Sequence, residues 1–89
     1  MKPLILAADG QQDHEGLLRE LFPPAKYEPC IIVPSASAAR QLLPTRRFSM
    51  VVIFTPLADE YGIRSAMEIA ASFDIDVLLF VPADKFDQA

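Results

Sequence analysis

Eighty-nine residues, 52% of them apolar and 22% charged, describe one small globular domain with no room for a second module. A formal net charge of −4, with only eight scattered Lys and Arg, argues against a dedicated nucleic-acid binder. The apolar runs fall far short of the roughly 20 residues of a membrane span.

The opening MKPLILAADG has one lysine and a very short apolar run before an acidic turn, a first strand rather than a secretory signal. The expectation is therefore a cytoplasmic protein that does not touch a membrane. Pro3 to Ala8 reads as a strand buried on both faces, closed by Asp9-Gly10. From Asp13 to Phe22 the apolar residues Leu17, Leu18, Leu21 and Phe22 recur at helical spacing, until Pro23-Pro24 stops the pattern. Tyr27 to Val33 contains CIIV and reads as a second strand. Ser35 or Ser37 can cap a helix with apolar face Ala38, Ala39, Leu42 and Leu43, ending at Pro44. Arg46-Arg47, the one basic pair, falls in a solvated turn.

Met50 to Phe54 (MVVIF) is the third strand. Gly62 to Phe73 is the third helix, with Ile63, Ala66, Met67 and Ile69 to Ala71 apolar. Val77 to Val81 is the fourth strand, and Pro82 can open a further helix. Strands alternating with ten-residue helices are the pattern of a parallel sheet covered on both faces.

The few chemically capable side chains are isolated. Cys30 has no second cysteine for a disulfide or metal site and reads as a small buried hydrophobe. His14, between Asp13 and Glu15 in the first turn of a helix, has no second histidine or cysteine and reads as a solvated face. Asp9 reads as a turn residue or helix cap. Glycines at 10, 16 and 62 form neither a dinucleotide fingerprint nor a P-loop, and there is no G-x-S-x-G elbow. The chain is not expected to be an enzyme, nor to carry a cofactor or metal.

The succession LILAADG, SASAARQLLPTRRFSMVVIF, PLADEYG and IDVLLFVPAD resembles the receiver domain of bacterial response regulators across all 89 residues. The PLADEYG loop is particularly similar to the degenerate receivers at the front of ANTAR proteins. Pro56, Leu57, Asp59, Glu60 and Gly62 match that pattern, whereas Ala58 departs from it. The resemblance implies a flavodoxin-like (CheY-like), three-layer, doubly wound parallel sheet of strand order 2-1-3-4. It also implies a single receiver-like domain over 1–89 that stops before a fifth strand. Receivers accept a phosphoryl group on an aspartate at the end of the third strand and hold Mg²⁺ with two acidic residues after the first. Carried over, the acidic pair falls on Ala8 and Asp9, the acceptor on Phe54 and the switch hydroxyl on Val81. Only Asp9 has the required chemistry, and a phenyl ring cannot accept a phosphoryl group.

The function this implies is a non-catalytic pseudo-receiver of a signal-transduction and antitermination regulator, acting through protein contacts. Phe54 is expected to pack near Ala7, Ala8 and Val81 in place of an acceptor. One alternative is a receiver phosphorylated at an unusual side chain such as Thr55, Asp59 or Glu60. A second is a flavodoxin-like small-molecule binder, although the ADGQQD loop lacks the hydroxyls of a flavin phosphate site. The uncharged run Val77 to Val81, as a sheet edge left by truncation, is expected to pair with another copy.

Overall fold

The computed structural model describes residues 2–11, 13–55 and 62–81. Four strands, β1 (Ile5–Asp9), β2 (Ile31–Val33), β3 (Met50–Phe54) and β4 (Asp76–Phe80), form one parallel sheet in the order β2-β1-β3-β4. Between them run α1 (Glu15–Leu21), α2 (Ala36–Leu42) and α3 (Gly62–Phe73). Order and direction are those the sequence predicts.

Alternation along each strand divides the core in two. Leu6, Ala8, Val51 and Ile53 pack with Val33, Ala36, Ala39, Leu43, Phe48 and Ile69 under α2 and α3. Ile5, Ala7, Val52 and Phe54 point the other way and pack with Leu18 of α1. Leu6, Ala7, Ala8, Val51, Val52 and Ile53 are all 0% exposed, as expected of central parallel strands covered on both faces. Among the described residues no helix is long and apolar enough to cross a membrane.

Local chemistry sets most of the boundaries. The Ser35 hydroxyl oxygen accepts from the Ala38 N–H at 3.1 Å, the cap anticipated for α2. Pro44 converts the end of that helix into a 3-10 turn, Leu43–Thr45. Asp74, φ 50°, makes the left-handed turn between α3 and β4, a conformation that aspartate tolerates.

Several expectations need correction. The first strand runs to Asp9 rather than ending at Ala8. The first helix is Glu15–Leu21, not 13–22, and of its leucines only Leu18 is buried, with Leu17 and Leu21 left exposed. The second strand is Ile31–Val33 only. The preceding chain is a turn in which Lys26 and Tyr27 both donate to the Pro23 carbonyl, and Pro29 has no N–H for a ladder. Met67 is 69% exposed, so it is not on the buried face of α3. The fourth strand starts one residue earlier than expected, at Asp76, and ends at Phe80. The helix expected after Pro82 lies outside the described residues.

Candidate functional site

Asp9, Phe54 and Phe80 occupy one row across the sheet. Asp9 is the register partner of Phe54, and Phe54 that of Phe80. Each is the last residue of its strand, so the row forms the carboxyl end of the sheet, where ligands of open α/β folds bind. Here two of its three residues are aromatic. Phe54 is 3% exposed and its ring stacks with Phe80, centroids 5.0 Å apart and planes 12° apart. The His14 imidazole stacks with Phe54 more closely still, at 4.1 Å and 7°.

The loop leading to α1 is organised by Asp9. Its carboxylate, 1% exposed, accepts from the Gln11 N–H at 3.1 Å and from the His14 N–H at 3.3 Å. These are the turn duties anticipated for it; the helix cap is His14 instead, which makes no side-chain cap bond. The same carboxylate oxygen Oδ2 lies 2.9 Å from His14 Nδ1, and Asp13 Oδ1 lies 3.0 Å from that nitrogen. His14 is thus half-buried, bracketed by two carboxylates and laid on a phenyl ring. The solvated helix face expected of it is wrong. Helical periodicity places neighbours three and four residues apart, whereas the contact with Asp9 spans five residues through a turn, and the contact with Phe54 spans two crossovers. The acidic residue five positions before His14, across Asp9-Gly10, is the only local signal of this arrangement.

Phe54 stands at the end of β3, where the acceptor was placed. It shares a cluster with Ala7, as expected, but Ala8 lies on the opposite face of the sheet, in the row of Ile53. Consecutive strand residues cannot both face Phe54. Val81, where the resemblance places the switch hydroxyl, directly follows β4 and is half-buried. The Thr55 hydroxyl donates to the Phe80 carbonyl at 2.8 Å, and the Thr55 N–H donates to the same oxygen at 3.0 Å. Asp59 and Glu60 lie outside the described residues. A receiver-type Mg²⁺ site does not fit these residues: the positions to which the resemblance carries its oxygen ligands hold the methyl of Ala8 and the ring of Phe54, leaving the Asp9 carboxylate where near-octahedral oxygen coordination is required. Cys30 is half-buried against the α1-side core, and burial pushes its thiol pKa up.

No protein-family model matches the chain, and no curated protein does. Among solved structures, it is similar to the MaeR response regulator bound to beryllium trifluoride, with a TM-score of 0.77 and 17% identity over 97% of this chain and 74% of that one. It is also similar to an aspartate-to-alanine mutant of the MaeR response regulator bound to sulfate, with a TM-score of 0.73 and 18% identity over 96% and 73% of the two chains. At these identities the likeness is one of fold. The chain has the CheY-like receiver architecture.

Proposed function

We propose that this chain is a pseudo-receiver: a non-catalytic signalling domain that keeps the receiver scaffold, cannot be phosphorylated, and acts through protein contacts. The observation that carries the reading is the buried ring of Phe54 at the end of β3, stacked with His14 and Phe80. A phosphoryl group brought there would meet apolar surface and the Asp9 carboxylate, with neither an acceptor oxygen nor a metal site to neutralise its charge. Thr55 is a poor substitute, since its hydroxyl proton is engaged by the Phe80 carbonyl. Similarity to a solved response regulator supports a signal-transduction setting, and the PLADEYG loop supports an antitermination regulator of the ANTAR type.

The test is incubation with Mg²⁺ and acetyl phosphate, followed by intact-mass measurement, and in parallel titration with beryllium fluoride followed by amide NMR. No added mass and no saturable shifts at the row of Asp9, Phe54 and Phe80 are expected. Stoichiometric phosphate on Thr55, Asp59 or Glu60 would overturn the proposal in favour of an unusual acceptor.

The protein contact includes self-association along β4. This strand ends the sheet among the described residues, and Leu78 on it is 40% exposed. After Asp76 the strand is uncharged, Val77 to Phe80, and an apolar edge of this kind is a template for strand pairing. Sedimentation at micromolar concentration is expected to show a dimer that Leu78→Lys weakens, and a monomer would count against the edge contact.

A further inference from the structure

The pseudo-receiver reading uses His14 as a ring stacked on Phe54 and Asp9 as a charge, and gives no role to the convergence of their donor atoms with that of Asp13. Among the described residues this trio is the group whose donor atoms converge, one from each residue, all within 4.8 Å of one another. We propose that it binds a divalent first-row transition ion, through Asp9 Oδ2, Asp13 Oδ1 and His14 Nδ1.

The geometry supports a cation at this point. With metal–ligand bonds of about 2.1 Å, adjacent donors of an octahedral site lie about 3.0 Å apart. The two carboxylate oxygens are 2.9 and 3.0 Å from the ring nitrogen. A single Nδ1 carries at most one proton, which can be directed fully at one of them. With the proton on Nε2, three lone pairs converge, and a divalent ion satisfies all three together. An imidazole nitrogen beside carboxylates selects Zn²⁺, Ni²⁺ or Co²⁺ over Mg²⁺ and Ca²⁺, which prefer all-oxygen sites.

Two of the three ligands are already held in place. The Asp9 carboxylate is fixed by the Gln11 and His14 N–H groups, and the plane of the imidazole is fixed by stacking on Phe54. Contacts of this kind orient ligands in protein metal sites. The third, Asp13, has a side chain 65% exposed, and that of His14 is 31% exposed, so an ion can arrive from solvent and keep water in its remaining positions. The site shares Asp9 with the position that the resemblance gives a receiver's Mg²⁺ ligand, but its other donors, Asp13 and the His14 imidazole, belong to the turn into α1 and replace all-oxygen coordination by a mixed nitrogen and oxygen set. It does not depend on the phosphorylation reading, since metal binding and phosphate acceptance are separate measurements.

The test is titration of the full chain with ZnCl₂ by calorimetry, and with CoCl₂ by visible absorption, with MgCl₂ as the control ion. Saturable binding of one Zn²⁺ per chain is expected, with histidine NMR showing the shift at His14 Nδ1. His14→Gln is expected to weaken Zn²⁺ by more than about tenfold, the lower bound for losing even an outer-shell partner. Asp13→Asn, an exposed change that the fold tolerates, is expected to weaken it as well. Circular dichroism of each apo variant separates lost ligation from lost folding, and Asp13→Asn carries the test if His14→Gln unfolds. Absence of saturable Zn²⁺ binding below millimolar concentration, equal binding of Mg²⁺, or unchanged Zn²⁺ affinity in Asp13→Asn and His14→Gln would each overturn the proposal.

Discussion

Replacing Phe54 by alanine tests whether the ring is a structural plug of the α1-side core. The side chain is 3% exposed, packs in the cluster of Ile5, Ala7, Leu18 and Val52, and stacks with two further rings. Truncating a fully buried phenylalanine to alanine costs about 3–5 kcal/mol in lost transfer energy and residual cavity. At about 0.05–0.15 kcal/mol per residue, a domain of 89 residues has roughly 4–13 kcal/mol in total, so the loss is a large share of it. In urea, with a slope of about 1–3 kcal/mol per molar, the unfolding midpoint should fall by at least about 1 M. His14→Ala provides the calibration. It removes one stacking partner, worth about 0.5–1.5 kcal/mol, and one contact with Asp9 worth a similar amount, while leaving Phe54 against its own cluster. Paired urea titrations followed by circular dichroism read both variants. A Phe54→Ala loss below about 1 kcal/mol, or a His14→Ala loss as large as that of Phe54→Ala, would refute the claim that the ring anchors the α1 side of the core.

Phe54→Asp is expected to destabilise the fold further than alanine, because it buries a carboxylate in the same row as Asp9, and it should remain unphosphorylated with Mg²⁺ and acetyl phosphate. Efficient phosphorylation of that single variant would show that the remaining acceptor machinery is intact. Cys30 is expected to react with thiol reagents more slowly in the native chain than in urea, since burial raises its pKa and a backbone hydrogen bond opposes this only in part. The sign follows for stability: the buried neutral thiol favours the fold below the ordinary thiol pKa, and the advantage is lost as pH rises, because the unfolded chain ionises first. Cys30→Ala should remove that part of the alkaline loss, and an identical pH profile in the variant would count against it.

The apolar runs at β1 and β3 and the helices between them determine the parallel sheet, because strands buried on both faces need continuous apolar sequence and right-handed crossovers leave few topologies, while the order 2-1-3-4 is implied by the resemblance to receivers. The cap at Ser35 and the break at Pro44 are equally local, since a side-chain acceptor three residues from its donor and a missing N–H act within one turn. The phenylalanine at the end of the third strand is legible in the same way. The tertiary structure alone decides what Phe54 touches. The pleat sends Ala8 to the far face although it adjoins Ala7 in the chain, and the turn at Asp9 brings His14 down onto a ring contributed by a different strand. Periodicity reports which side of an element is apolar, and it contains no information about which distant element covers that side. For the same reason Leu17, Leu21 and Met67, apolar and regularly spaced, lie exposed while the charged Asp9 is buried.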